Sequence, residues 1–537
     1  MASNKAEIIR EVTMEVLDNM KISGQTYTPV DVADEVLEKV QTSLTLYNAV
    51  REKGLKWRIP ENLLPQQLAW ILATLHPICL IEMTGRSSDK TGKVLGLYQE
   101  DGPDKGIYVT NEEAFEKLAD SYYALVSERD LQEMFACLKR CVPQKQKCQE
   151  KNLIAVNNGI FDYDTKRLRP FTSDLVFLSK SQVNYVTNPV NPVLHNPDDG
   201  TDWDVESWMN DLSDDPEIVD LLWKILGAII RPNVAWNKSA WFYSESGNNG
   251  KGTLCELMRE LCGEGTYTSI PLSDFSKDFM LEPLVQASAI IVDENDVGTY
   301  LDKAANWKAV VTGDVIQINR KFKAPMSCRF RGFMVQCLNE MPRVKDKSDS
   351  FYRRQIFIPF TKCFTGAERK YIKEEYLHRA DVLEYVLHKV LHMDYYELDV
   401  PVSCQNALNE YKEFNDPLRQ FVNEILPELQ WDLVPFTFLY DLYKAWYVKN
   451  VGKSDVIGKQ VFIKNLAGVL NVDSDFICED KSKRYRPGAQ MDKAEPLIAE
   501  YDLKDWMNPM MSGSHDIEKR CRPILKADYR GIIRNNH

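Results

Sequence analysis

The sequence predicts a multi-domain α/β protein organised around a mainly parallel sheet. Three observations point there: a length of 537 residues, short apolar strands alternating with helical segments between residues 205 and 365, and an apolar strand, glycine-rich loop and helix in succession in SAWFYSESGNNGKGTLCELMRELCG. At about 100–200 residues per domain, a chain of this length holds several cores. Strands alternating with helices favour a parallel sheet, because parallel neighbours need a crossover connection that is usually helical. Hydrophobic residues at 44% and charged residues at 27% are ordinary for globular proteins, which excludes a disordered scaffold and a fibrous repeat.

Residues 1–60 read as helix, with apolar positions at helical spacing in AEIIREVTMEVLDNM and VDVADEVLEKVQTSLTLYNAV on either side of the break SGQTYTP. They are expected to form a collar or partner-binding segment. Residues 61–200 are mixed. QQLAWILATL is helical, KVLGLYQEDGPDKGIYV alternates like two strands around a turn, and NLIAVNNGIFDYDTKRLRPF repeats that pattern. The Pro-, Asn- and Asp-rich SKSQVNYVTNPVNPVLHNPDDGTDWD marks a domain boundary. In 205–365, the amphipathic VESWMNDLSDDPEIVDLLWKILGAII precedes the strand–loop–helix segment, and ASAIIVDEND and FRGFMVQCLNE supply two further buried strands. A helical linker or lid over 366–430 and a lysine-bearing set of short helices over 431–537 complete the order.

Lys and Arg number 66 against 79 Asp and Glu, a net charge of −13, so the overall field repels nucleic acid and any such contact needs a local basic surface. The twelve cysteines contain no CxxC pair, and Cys137, Cys141 and Cys148 lack zinc-site spacing, so they read as reduced, buried thiols. No signal-peptide pattern opens the chain and no apolar run reaches about 18 residues. No membrane partner and a cytoplasmic location are therefore expected.

The chemistry concentrates in SESGNNGKGTL, residues 244–254. A phosphate chain needs converging backbone N–H groups, a helix N-terminus and a reachable ammonium, and a glycine-rich turn between strand and helix supplies all three. Gly247, Asn248, Asn249, Gly250 and Gly252 shape the loop, and Lys251 reaches the β- and γ-phosphates. The strict GxxxxGK[ST] pattern is departed from twice: Glu245 and Gly252 stand where glycine and a hydroxyl belong, leaving Thr253 as the candidate Mg²⁺ ligand. Such a loop calls for carboxylates on a neighbouring strand, and ASAIIVDEND provides Asp293 for Mg²⁺ and Glu294 as general base. Asn339, at the end of a third strand, is either a γ-phosphate contact or a turn residue. Arg353 and Arg354, before another strand, are either a solvated pair or contain an arginine finger for a neighbouring site. In KAVVTGDVIQINRKFKAPMSCRFRGF, two alternating runs meet at Arg320, Lys321, Phe322 and Lys323. This reads as a hairpin whose tip is either a nucleic-acid contact or a solvated strand pair.

The motifs SGNNGKGT, IIVDE, KAVVTGDVIQINRKFK and LNEMPR followed by YRRQIFIPF, in this order and spacing, resemble the ATPase domain of superfamily III helicases of the phage, plasmid and poxvirus primase-helicase type. The likeness covers roughly residues 90–470. It implies an AAA+-like domain, ATP and Mg²⁺ as cofactors, a homo-oligomeric ring, a hexamer, with hydrolysis at subunit interfaces, and movement along DNA. It also makes the hairpin channel-facing and residues 431–537 winged-helix-like, with a basic face that is either DNA-binding or merely solvated. Tyr440, Tyr443, Trp446 and Tyr447 are assigned to packing, and the dense basic run KSKRYRPGAQ is either a backbone grip or a soluble loop. The first 90 residues carry no zinc-binding cysteine set and no nucleotidyl-transfer cluster, and His76 reads as a core histidine. The expectation is therefore a replicative DNA helicase without a primase, working with a separate one. The rivals are an origin-binding initiator or loader and an RNA-directed motor.

Overall fold

The computed structural model describes residues 4–85, 91–296, 298–301, 303–321, 323–366, 369–450, 456–470, 475–511 and 514–535. Contacts divide the chain into two compact units, Met1–Asp346 with Arg353–Gln405, and Lys347–Tyr352 with Asn406–His537.

The first unit starts with the helices Lys5–Ser23 and Pro29–Ala49. The first ends at Gly24, whose φ of 64° is the left-handed conformation glycine adopts without cost. The second starts at Thr28, whose side chain accepts from Asp31 N while Asp31 caps back, with Pro29 in the first turn. Their apolar faces are not a separate collar. Val16, Leu17, Val32 and Val36 share one core with Leu68 and Ile71 of the helix Pro65–Leu75, with Leu80 and Leu95 of the following sheet, and with Phe115 and Met134. In that sheet Ile78–Glu82 pairs antiparallel with Lys93–Tyr98 and parallel with Gln144–Gln146, and Tyr108–Val109 closes the other edge. Leu153–Val156, Gly159–Asp162 and Arg167–Arg169 then form an antiparallel meander.

The Pro- and Asn-rich segment near residue 190 does not separate two bodies. Val183, Tyr185 and Trp203 are buried in the same core as the elements that follow, so irregular backbone is held by packing rather than left as a linker. Those elements are α1 (Pro216–Ile229), β1 (Ser239–Tyr243), α2 (Lys251–Cys262), β2 (Tyr267–Thr268), β3 (Ala289–Val292), α3 (Ala305–Thr312), β4 (Phe333–Leu338), β5 (Gln355–Pro359) and α4 (Ala380–His392). The five strands make one sheet in the order β5-β1-β4-β3-β2, parallel at every pairing. β3 and β4 are buried along their whole length, as expected for strands covered on both faces. The register sets Tyr243 opposite Leu338 and Val292 opposite Gln336, so β1, β3 and β4 end together at one edge.

Two antiparallel strands, Val315–Arg320 and Lys323–Arg329, project between α3 and β4, with Arg320 opposite Lys323 at the tip. Ile316, Ile318, Met326 and Cys328 bury one face of this hairpin. The stretch expected as a linker over 366–430 is divided. Val382, Val386 and Val390 of α4 join the core of the sheet with Leu222 and Leu226 of α1, whereas residues from Asn406 onward belong to the second unit.

In the second unit the helix Pro417–Ile425, the strand Leu433–Pro435 and the helices Phe436–Asn450 and Lys459–Val469 are followed by Phe476–Ile477 and Gly531–Arg534. Gly531–Arg534 is the central strand of a three-stranded antiparallel sheet. Tyr443 and Trp446 are buried with Phe421, Phe438 and Trp431, and Tyr440 and Tyr447 pack against that core, so the helical aromatic spacing reflects packing. Among the described residues no helix is long and apolar enough to cross a membrane. All twelve cysteines are free thiols. His76 is half-buried, with Nε2 2.9 Å from the Tyr122 hydroxyl, and burial lowers its pKa.

Candidate active site

The turn after β1 is braced by its own polar groups. Gly250 has a φ of 85°, and a Cβ there would lie 2.6 Å from Leu212 Cδ2, so both conformation and space demand glycine. Asn248, at φ 52°, is one of the few residue types that tolerate this region, and its carbonyl accepts from Phe364 N at 2.7 Å. Asn249 donates to Ser246 O and accepts from Lys251 N at 3.3 Å. Gly247 is exposed, and a Cβ there would meet nothing within 4 Å. The loop runs straight into α2, whose own first turn carries no acidic residue.

Lys251 is 5% exposed, and its ammonium donates to Ser244 O and Leu338 O at 3.2 Å each and to Asn339 Oδ1 at 2.9 Å. Among the described residues no carboxylate lies within ion-pair distance of it. Burial lowers its pKa, with Asp293 nearby opposing that shift. A buried ammonium satisfied only by neutral acceptors is an electrostatic vacancy that an anion fills.

Asp293 follows β3 and is half-buried. A Cβ on Gly252 would come within 3.1 Å of its Oδ1, which explains glycine where a hydroxyl is usual: the carboxylate occupies that space. Gly252, Glu256 and Arg259 recur at helical spacing on α2. Arg259 Nη1 lies 3.1 Å from Glu256 Oε2 and 3.6 Å from Asp293 Oδ2. Thr253 is one residue further round the helix. It lines a cavity of about 450 Å³ with Trp208, Asp211, Asn248, Gly250 and Phe364.

Glu294 is exposed beside Asp293. The next residue, Asn295, is 4% exposed and pins this turn: its Oδ1 accepts from Leu272 N at 2.9 Å, and its Nδ2 donates to Gln336 Oε1 and Cys337 O at 3.0 Å each. Sequence reasoning missed Asn295, and also the thiols of Cys255 and Cys337, which meet at 3.3 Å behind the loop and cluster with Asp293. Burial pushes the Cys337 thiol well up, which keeps it protonated and leaves the Asp293 carboxylate as the hard donor suited to Mg²⁺.

Arg353 and Arg354 precede β5, which pairs in register with β1 from Ser239 opposite Gln355 to Tyr243 opposite Pro359. They therefore lie at the edge of the sheet opposite the loop, a strand length of about 16 Å away. Arg353 is exposed and Arg354 half-buried, and the Arg354 carbonyl accepts from Ser239 N at 2.8 Å. At the hairpin tip, Arg320 Nε and Nη2 donate to Ala324 O at 3.2 and 3.0 Å, and Lys321 is exposed. Phe322 and the side chain of Lys323 lie outside the described residues.

Three family models match successive parts of the chain. "D5 N terminal like" covers residues 38–224, a family of unknown function (DUF5906) covers residues 242–354, and "Poxvirus D5 protein-like" covers residues 413–505. A helicase-named protein of Invertebrate iridescent virus 3 is 23% identical over 370 residues, which is 60% of this chain and 37% of that protein. The chain thus spans little more than a third of that relative's length. Among solved structures, an A form apo structure of the NrS-1 C-terminal region aligns at 14% identity and TM-score 0.43, covering 88% of this chain and all of that one. A second NrS-1 apo structure aligns at 13% identity and TM-score 0.40, covering 76% and 87%. The two D5 models and the iridescent-virus relative together make the chain similar to the phage and viral D5-type primase-helicase family.

Proposed function

We infer that the chain is an ATP-dependent replicative DNA helicase whose catalytic unit is the parallel-sheet domain, with an AAA+-like P-loop core. The observation carrying this reading is Lys251: a buried ammonium at the head of α2, held by neutral acceptors only, with Asn339 in contact and Asp293 beside the next residue. The N–H groups of residues 247–252 cradle the phosphates, Lys251 turns from Asn339 to the β- and γ-phosphates, and the nucleoside enters the cavity lined by Trp208 and Phe364. Asp293 holds Mg²⁺, which neutralises charge on the triphosphate when bound. Thr253, which lines that cavity, stays the candidate hydroxyl for Mg²⁺ beside the nucleotide.

Glu294, exposed to solvent, orients the attacking water and takes its proton. The water oxygen adds to the γ-phosphorus as the bond to the β-phosphate oxygen breaks, giving ADP and phosphate. Asn339, released by Lys251, contacts the γ-phosphate. Arg259 of the same chain is taken up by Glu256 and Asp293, and Arg353 and Arg354 stand at the opposite edge of the sheet, so the finger is assigned to a neighbouring copy and the working form is a ring, a hexamer. Six hairpins bearing Arg320, Lys321, Phe322 and Lys323 would line its channel and grip DNA. The helix, strand, two helices and two strands of the second unit support a winged-helix reading.

Lys251→Ala tests this. ATPase activity and unwinding of a forked duplex are expected to vanish while the thermal melt is retained; full ATPase activity in a folded Lys251→Ala protein would reject the site.

A further inference from the structure

A second cavity, of about 200 Å³, lies where β4 begins, at the edge of the sheet away from the phosphate loop. The length of β4, about 20 Å, separates the two. Three segments wall it: residues 232–237 ahead of β1, 310–313 at the end of α3, and 329–332 between the hairpin and β4. Their frame is set before anything enters. Val234 N and Trp236 Nε1 both donate to Arg231 O at 3.3 Å. A Cβ on Gly332 would lie 2.1 Å from Ser288 O, so the third segment packs flush against the residue before β3. A preformed wall lowers the ordering cost of binding.

Two buried polar atoms of this wall have no hydrogen-bond partner among the described residues: Arg329 Nε, a donor, and Asn233 Oδ1, an acceptor. Asn233 Nδ2 donates to Glu150 O at 3.4 Å, which leaves the amide oxygen as the unsatisfied end. Arg331 lines the same cavity, and its Nη2 donates to the neutral Gln149 Oε1 at 2.9 Å. Among the described residues neither guanidinium has an ion-pair partner and no Asp or Glu lines the cavity. Asp314, the next residue along from the wall, accepts from the Thr312 hydroxyl at 2.6 Å. Burial lowers the Arg331 pKa, and the Arg329 charge beside it adds to the shift. Two like charges held together without a carboxylate repel unless an anion enters.

The ligand must accept from the arginines and donate to Asn233. At about 200 Å³ the cavity is below the range of about 300–1,000 Å³ that holds drug-sized ligands, which excludes a nucleotide. Sulfate, chloride and carboxylates accept without donating. A phosphodiester has no P–OH group, and a phosphomonoester, with a second pKa of about 6, has lost its own by pH 7.5. Bicarbonate donates but carries a single charge for two guanidiniums. We propose that this cavity binds inorganic phosphate in its monohydrogen form, with charged oxygens on Arg329 and Arg331 and the P–OH donating to Asn233 Oδ1. Bound there, phosphate ties the base of the hairpin to the end of α3 and to the segment ahead of β1.

The test uses the full chain carrying Lys251→Ala, so that the phosphate loop does not compete. Calorimetric titration with orthophosphate at pH 7.5 should show binding, and saturating phosphate should raise the melting temperature. Sulfate, dimethyl phosphate and bicarbonate should each bind at least tenfold more weakly. Adding Arg329→Gln/Arg331→Gln should weaken phosphate at least tenfold; if that protein fails to fold, Arg331→Gln alone should weaken it at least threefold. Asn233→Leu should lower phosphate to the affinity of sulfate and leave sulfate unchanged. Absence of phosphate binding overturns the proposal, as does sulfate or bicarbonate binding as tightly, or phosphate affinity unchanged in the folded arginine variants. None of these measurements contains ATP. The nucleotide reading fails on ATPase activity retained in Lys251→Ala, and this one on phosphate affinity in the same protein, so the two failures are distinct.

Discussion

Gly252→Ala separates folding from catalysis at one atom. The added Cβ lies 3.1 Å from Asp293 Oδ1, 3.7 Å from Oδ2 and 3.8 Å from Cγ, so the carboxylate must retreat by a few tenths of an ångström. It has room to yield, because Arg259 holds it at 3.6 Å rather than through a short ion pair. Gly252 sits in the first turn of α2, and alanine in a helix gains up to about 1 kcal/mol over glycine. The gain offsets the contact, and the melting temperature should stay within a few degrees of the parent. Catalysis has no such compensation: misplacing a reacting group by about 1 Å costs on the order of 100-fold, so a shift of part of that distance should lower kcat about tenfold, or about 1.4 kcal/mol of barrier. KM for ATP should change little, because Lys251 and the loop N–H groups are untouched. Gly252→Ser, which restores the usual hydroxyl, carries the same Cβ and should show the same loss. Steady-state ATPase rates over a Mg²⁺ titration, with a thermal melt alongside, read all of this. A parental kcat at saturating Mg²⁺ in folded Gly252→Ala would refute the view that Asp293 occupies the metal position.

Two further outcomes follow from buried polar groups. Glu495 has no accessible surface. Its Oε2 accepts from Gln430 N at 2.8 Å while its Oε1 finds no partner among the described residues, and burial pushes its carboxyl up to about 7. Because the folded state holds this proton more tightly than the unfolded chain, the stability it confers is full below the ordinary carboxylate range and is lost as pH rises through about 7. Calorimetry should show the second unit melting lower at pH 8 than at pH 5.5, and Glu495→Gln should raise the pH 8 melt selectively. Asn295→Ala strands the Leu272 N–H and the Gln336 amide, a cost of about 1–3 kcal/mol per unsatisfied group. It should lower the melting temperature and, by loosening the turn that carries Asp293 and Glu294, reduce kcat more than it raises KM.

What was legible in the sequence was local. SGNNGKGTL marks its own turn because glycines, Asn and Lys at that spacing between an apolar strand and a helix serve a specific backbone path. The hairpin tip near Lys321 follows from two alternating runs, and Arg259 was within reach of helical periodicity from Gly252. The missed features are all long-range. Cys255 and Cys337, far apart in the chain, touch only because β4 runs behind α2. Asn295 looks like a polar turn residue until β4 supplies its acceptors. The Pro-rich segment near residue 190 reads as a linker because Val183, Tyr185 and Trp203 lack periodicity, yet each finds a place in the core. Likewise, the N-terminal helices show amphipathic faces without showing that the helix Pro65–Leu75 covers them. Gly252 looked like a defect in the phosphate loop, and only the position of Asp293 gives it a reason.

The account turns on a triphosphate gripped by one chain and completed by an arginine from the next, and mixing two inactive variants tests this most directly. Lys251→Ala removes the grip and Arg353→Ala removes the exposed guanidinium at the opposite edge of the sheet. Each alone should lack ATPase activity. In equal mixtures about a quarter of head-to-tail interfaces pair an intact loop with an intact arginine, so activity should reappear and peak near the equal ratio. Absence of activity at every ratio, with the mixed assemblies shown to form, would contradict the account.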